Sequence, residues 1–286
     1  MHCFFVSDLH GHQHRYEALF ARIATDMPDA VFLGGDLLPV HVRSAAKHYP
    51  AVNDFIADYL VPRLRALRLA MQERYPRVFL ILGNDDPRTQ EVRFQDSAHA
   101  ELWTYVHGVR ANWAQYTVYG YACVPPTPFQ LKDWERYDVS RYVDPGCVSP
   151  EDGRRTVPVD SHTLRYGSIA DDLHALTGDD VLGRALMLFH SPPYQTALDR
   201  AALDGKSIDH VPLDVHVGSV AIRRFIERRQ PRISMHGHIH ESASITGAWK
   251  EQLGATWCFS AAHRGSELAL VRFDPDMPGD AVRELL

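Results

Sequence analysis

The sequence predicts an α/β fold with parallel strands, on three observations. Short, uniformly apolar runs recur along the chain. Stretches with helical apolar spacing separate the first three of them. Each of these three stops at, or one residue before, a glycine, carboxylate or hydroxyl side chain. Apolar runs of four to eight residues read as strands buried on both faces. Strand, helix, strand, helix, strand is the signature of a layered sheet with crossover connections.

The elements follow in order. Cys3 to Val6 is the first buried strand. Tyr16, Leu19, Phe20 and Ile23 fall at i, i+3, i+4 and i+7, one face of a helix. Val31 to Leu33 is the second strand, closed by Gly34-Gly35. Residues from about 52 to 74 read as a long helix, with Phe55, Ile56, Tyr59, Leu60, Leu64, Leu67 and Met71 inward and Pro62 kinking or dividing it. Val78 to Leu82 is the third strand. Trp103 to Val106 and Thr117 to Val124 read as strands, and Asp171 to Leu176 as a short helix. Between them, a Pro- and Gly-punctuated excursion of about 100–180 lacks a sustained apolar period. Ala185 to Phe189 is a strand delivering His190, and a helix follows at about 218 to 229. Ile233 to Met235 delivers a histidine cluster, and strands at Thr256 to Phe259 and Leu268 to Phe273 close the chain.

With 286 residues, the chain is long enough for a substantial core, and one domain over 1–286 is expected. Hydrophobic residues at 45% and charged residues at 23% exclude a disordered chain. The formal charge of −6 disfavours a broad nucleic-acid footprint, and so a nuclease. The cysteines Cys3, Cys123, Cys147 and Cys258 form no C-x-x-C pair, which argues against a zinc knuckle or disulfide framework. The first residues lack the basic region of a signal peptide, and no apolar run approaches the roughly 20 residues of a membrane helix. The expectation is a cytoplasmic protein with no membrane partner.

Ligands of such sheets gather beyond the carboxyl ends of the strands. Five clusters of donors sit there: Asp8-Leu9-His10, Gly35-Asp36, Gly83-Asn84-Asp85-Asp86, His190 and His236-Gly237-His238-Ile239-His240. Asp8 and His10, at i and i+2 of an extended strand, would share a face. Asp36, after two glycines, can bridge two cations, and Asn84 offers a neutral carbonyl oxygen. Taken singly, each motif is also an ordinary turn, and His236 reads as a core histidine or a support for the donors. Together they supply seven donors suited to two metal ions sharing one carboxylate. Imidazole, carboxylate and amide donors suit manganese, iron, cobalt or zinc. His12, His14 and His263 lie close enough to the motifs to stay open. The remaining histidines, His41, His48 and His216 among them, read as exposed or locally hydrogen-bonded.

In this order the motifs resemble those of the calcineurin-like metallophosphoesterase superfamily, whose pattern is D-x-H, G-D, G-N-H-D/E, a lone H and G-H-x-H. The resemblance implies a four-layer αββα sandwich with a dinuclear metal site at the carboxyl ends of the strands. One metal ion would take Asp8, His10 and His240, the other Asn84, His190 and His238, with Asp36 bridging. A bridging hydroxide would attack phosphorus in line. The chain departs from the pattern at Asp85, where the family has the histidine held to protonate the leaving group. Asp85 and its neighbour Asp86, or His12, are the candidate acid–base groups. Relatives without that histidine favour diesters or activated esters, so phosphodiester hydrolysis is the expected activity, with a phosphomonoesterase or a non-catalytic metal-binding scaffold as alternatives. The expected partner is a small phosphorylated molecule, a nucleotide among the candidates. Lys132 and Arg136, in an aromatic-rich loop, are candidate phosphate contacts, unless that loop exists to pack Trp134.

Overall fold

A computed structural model describes residues 1–39 and 54–286. Residues 52 and 53 of the expected helix, and His41 and His48, lie outside them. The strands in chain order are β1 (Cys3–Val6), β2 (Ala30–Gly34), β3 (Arg77–Ile81), β4 (Thr104–Tyr105), β5 (Arg110–Trp113), β6 (Tyr116–Tyr121), β7 (Ala185–Phe189), β8 (Ser207–Ile208), β9 (Val211–Pro212), β10 (Ile233–His236), β11 (Lys250–Leu253), β12 (Thr256–Ser260), β13 (Ala269–Phe273) and β14 (Val282–Leu285). They form two six-stranded sheets, β14-β13-β1-β2-β3-β4 and β11-β12-β10-β7-β6-β5, with β8–β9 a separate hairpin.

Within each sheet the central strands are parallel: β1 to β4 in one, and β6, β7, β10 and β12 in the other. The sheets meet face to face. Phe32 of β2 stacks on Phe79 of β3 at 5.4 Å, and Trp113 of β5 meets both rings edge-on at 6.2 Å. Phe259 of β12 lies 5.6 Å from Phe273 of β13. Such contacts bury large apolar areas and give the core a defined geometry.

Helices cover the outer faces. Helix Gln13–Asp26 buries Tyr16, Leu19, Phe20 and Ile23 against the first sheet, the face expected from their spacing. The expected long helix is divided at its proline. Phe55–Leu60 is a wide π-type turn, and the α-helix proper runs Val61–Met71. Pro62 stands in the first turn of that helix, just after Val61, whose N–H closes the π-type turn on Ile56 O. On the second sheet, helices Ile169–Thr177 and Val220–Arg229 pack side by side. The architecture is thus the helix–sheet–sheet–helix sandwich expected from the resemblance. The expected strands at 103–106 and 117–124 are shorter, at Thr104–Tyr105 and Tyr116–Tyr121. Strands β5, β11 and β14 escaped the sequence because each mixes polar residues into an edge of a sheet. The C-terminal strands join both sheets, β12 beside β10 and β13 beside β1.

Candidate metal centre

Five parallel strands, β1, β2, β3, β7 and β10, end along one edge. The turn after β1 and the turn after β2 run side by side, held by Asp8 N–H to Gly35 O (3.0 Å), His10 N–H to Asp36 O (2.8 Å) and Gly11 N–H to Leu37 O (2.9 Å). Asp8, His10, Asp36 and His238 all have left-handed backbone, with φ of 58°, 47°, 52° and 72°. Non-glycine residues rarely adopt this region, and strain of that kind collects where surrounding structure holds a functional geometry. Asp8 and His10 therefore converge through two left-handed residues in a turn, not through the pleat of an extended strand as expected.

Two glycines let the turns come this close. A Cβ on Gly83 would overlap Asp36 Oδ1, and one on Gly237 would overlap Ser7 Oγ and crowd Asp8 Oδ2.

The donors meet. Asp8, His10 and His240 bring ligand atoms within 4.8 Å of one another, as do Asp8, Asp36 and His190, and His10, Asp36 and Asp85. His240 Nε2 lies 3.3 Å from Asp8 Oδ1 and 3.2 Å from His10 Nε2. His190 Nε2 lies 3.0 Å from Asn84 Oδ1 and 3.3 Å from Asp36 Oδ2. The His238 ring sits 5.2 Å from that of His190, and the His238 backbone N–H donates to both Asp8 oxygens at 3.0 and 3.2 Å. His190 Nδ1 donates to Gly34 O at 2.8 Å, which fixes the tautomer and turns Nε2 toward Asp36 and Asn84.

This donor set fits cations. Asp8 and Asp36 are almost wholly buried carboxylates, and such charges persist only beside positive charge. Burial pushes the Asp8 carboxyl up, but the His240 hydrogen bond and the surrounding imidazoles outweigh it and hold the carboxyl below its ordinary range. Burial likewise works against ionisation of Asp36, and His190 prevails. His190 in turn resists its own burial because of Asp36 and stands at about 10, while burial takes His238 down to about 3. Burial works against the charged form of His240, but Asp8 outweighs it and raises its pKa. Divalent ions would neutralise the two buried carboxylates and use the imidazoles that approach them as ligands.

Asp85 stays at the edge of the cluster. Its carboxylate is 36% exposed, lies 3.8 Å from His10 Nδ1 and accepts from Asn84 Nδ2 at 3.1 Å, while its N–H donates to Asp36 Oδ1 at 2.8 Å. Burial, then the Asp36 charge, raises its pKa. Asp86 points the other way. It has no exposed surface, and its carboxylate accepts from the amides of Leu37 (3.0 Å), Leu38 (2.7 Å) and Gly83 (2.9 Å). Its carbonyl takes the Trp134 indole N–H at 2.7 Å. Asp86 is therefore a clamp joining three loops, with no face left for acid–base work. His12 precedes helix Gln13–Asp26, and burial and Arg15 push its pKa down to about 4. His236 is buried in β10 between Ser234 Oγ (2.8 Å) and Ser191 O (2.9 Å), the core position expected of it.

Lys132 is not a surface cation. It has no exposure, and its ammonium donates to Glu135 (2.6 Å) and Thr127 O (2.8 Å), so a phosphate cannot reach it. Arg136 donates to Thr163 O at 3.3 Å and pairs with Asp172 at 3.5 Å. Trp134 is fully buried. The aromatic-rich loop is thus a packed substructure. Lys132→Met should cost about 3–5 kcal/mol in chemical denaturation, because it strands the Glu135 charge, and Lys132→Met with Glu135→Leu should recover most of it. Sequence reasoning missed Arg15, whose guanidinium holds the turn after β1 through Asp8 O (2.6 Å) and Gly265 O (2.5 Å). No local pattern marks it, since its acceptors are backbone carbonyls, one of them 250 residues away.

A two-sheet sandwich gathering carboxylate, amide and imidazole donors at one edge defines the class of binuclear metallohydrolases. The model of the calcineurin-like phosphoesterase family matches residues 1–242, and the chain belongs to that family. It is a hydrolase acting on phosphoester bonds, by metal-dependent chemistry. One solved structure superposes with a TM-score of 0.60 at 16% identity, over 99% of this chain and 98% of its own. The TT1561 protein of Thermus thermophilus does so with 0.55 at 18% identity, over 99% and 98%. Phosphopantetheinyl hydrolase (PptH) of Mycobacterium tuberculosis does so with 0.51 at 11% identity, over 91% and 89%. These likenesses show a shared fold. Among curated proteins, none matches this chain. No helix among the described residues is long and apolar enough to cross a membrane.

Proposed function

We propose that this protein is a phosphodiesterase acting on a small phosphorylated molecule, as one metallophosphoesterase unit over residues 1–286 in a cytoplasmic setting. Two divalent ions, drawn from manganese, iron, cobalt and zinc, would be held by Asp8, His10 and His240 and by Asn84, His190 and His238, with Asp36 between them. Such a pair supplies activated water and neutralises charge on the phosphoryl oxygens. The observation that carries the reading is the position of Asp36. Its Oδ2 faces His190 Nε2 at 3.3 Å and His10 Nε2 at 3.9 Å, so one carboxylate stands between the two donor groups.

The chain's own residues orient and tune. Gly34 O aims His190, Arg15 braces Asp8, and the Asp85 amide holds one oxygen of Asp36. Proton delivery to the leaving group is the weak point. His12 is pushed down to about 4, so it carries no spare proton at neutral pH. Asp85 is raised and adjoins the cluster, which makes it the better acid. A carboxylic acid serves leaving groups that need little protonation, and this favours diesters and activated esters over alkyl monoesters.

The test is turnover of bis-p-nitrophenyl phosphate and p-nitrophenyl phosphate under each of the four metals, with elemental analysis. The expected result is a higher kcat/KM for the diester, abolished by chelation and restored by one of the metals. Metal-loaded protein that turns over neither ester sinks the reading. Preference for the monoester leaves a phosphomonoesterase.

A further inference from the structure

A cavity of about 590 Å³ opens beside the cluster, with His238 and Ile239 in its wall. The proline-rich turn at 125–129, the segment 138–147 and the β8–β9 region form its other sides. The size suits one small organic group. Its walls are largely apolar, with Pro126, Pro128, Leu203, Leu213 and Val217 among them. Phe129, Val139, Tyr142 and Ile208 line it and are 57%, 39%, 68% and 39% exposed. Large apolar side chains left open around one concavity mark a binding surface.

The charges in this wall are of one sign. Among the described lining residues there are four carboxylates, Asp138, Asp144, Asp214 and Glu241, and no lysine or arginine. Asp138 is occupied, accepting from Ser219 Oγ and the amides of Val220 and Ala221 at the start of helix Val220–Arg229. Glu241 accepts from Ala202 N–H at 3.1 Å. Asp214 accepts from the Tyr194 hydroxyl and from the His216 amide. Asp144 lines the same cavity as Asp214, and burial, then the Asp214 charge, raises its carboxyl. His216 presents its ring from the same wall, its Nδ1 held by the fully buried Asp199 at 2.7 Å.

We propose that this cavity binds the alcohol portion of the substrate, and that this portion is an apolar body carrying an amine at the Asp144–Asp214 end. The proposal rests on the phosphoesterase reading for its link to the metal centre. A second phosphate or a polyphosphate tail is the wrong chemistry, because the described walls carry four carboxylates and no lysine or arginine. An amine supplies the positive charge that the carboxylate-lined wall lacks, while its apolar body covers the exposed rings.

Calorimetry with 4-phenylbutylamine and 4-phenylbutyrate on the metal-loaded protein tests the cavity without any turnover. The amine should bind about tenfold tighter or better. The double variant Asp144→Asn/Asp214→Asn should remove that preference by weakening the amine, while 4-phenylbutyrate binds the variant at least as tightly as it binds the native protein. In a second arm, the p-nitrophenyl diester of 4-(aminomethyl)benzyl alcohol should exceed its carboxylate analogue in kcat/KM by a similar factor. Equal binding of amine and carboxylate overturns the proposal, as does a preference that survives the double variant. Amine-selective binding with no turnover of any ester overturns the phosphoesterase reading and supports the cavity's ligand chemistry.

Discussion

Asp36→Asn should lower kcat/KM for bis-p-nitrophenyl phosphate by about a thousandfold, equivalent to about 4 kcal/mol of transition-state stabilisation. Asparagine is the informative replacement. It tolerates the left-handed backbone of this position, where φ is 52°, so the turn after β2 keeps its shape. It retains an oxygen for the Asp85 amide, which now reaches Asp36 Oδ1 at 2.8 Å. What disappears is the charge that faces His190 and His10 together. The variant should fold, and elemental analysis should show less metal per chain than in the native protein. Activity within tenfold of native at saturating metal would remove Asp36 from the bridging position.

The second large effect is on stability. Asp86→Ala should destabilise the protein by about 3 kcal/mol or more, since it leaves three buried amides without an acceptor at about 1–3 kcal/mol each. A fall in Tm of about 6 °C or more corresponds to that loss in a chain of this size. Gly83, Leu37 and Leu38 lie in the turns after β3 and β2, so the same variant should loosen Asn84 and Asp36 and lower activity in step with stability. Asp86→Asn keeps one acceptor oxygen but turns a donor toward a donor, and should fall between the two. A Tm change below about 2 °C for Asp86→Ala contradicts the clamp. If Asp86 were instead a catalytic acid, both variants would lose activity at unchanged Tm.

Much of the fold was legible because buried parallel strands are written as apolar runs. Cys3–Val6, Val31–Leu33, Ala185–Phe189 and Ile233–Met235 lie within the central strands. Edge strands such as Arg110–Trp113 and Val282–Leu285 were not legible, because one side of each is open and polar residues are tolerated there. The excursion was half legible. Its sequence left two readings, Lys132 and Arg136 as phosphate contacts or a loop that packs Trp134, and the second holds for Lys132: Lys132, Glu135, Asp133 and Trp134 are buried, paired with one another or with backbone. A buried ion pair reads in sequence as two surface charges.

The sequence by itself determined which donors the chain carries, their order and their place at the ends of strands, because these follow from residue type and apolar period alone. Tertiary structure alone decided how they meet. Asp8 and His240 stand 232 residues apart and come within 3.3 Å only because β1 and β10 end at one edge of two facing sheets. It also decided that Asp8 and His10 converge through left-handed backbone, that Asp86 clamps loops while its neighbour Asp85 faces the cluster, and that Lys132 is sealed in the interior. Each of those outcomes depends on neighbours distant in the chain, and no local pattern of residues encodes them.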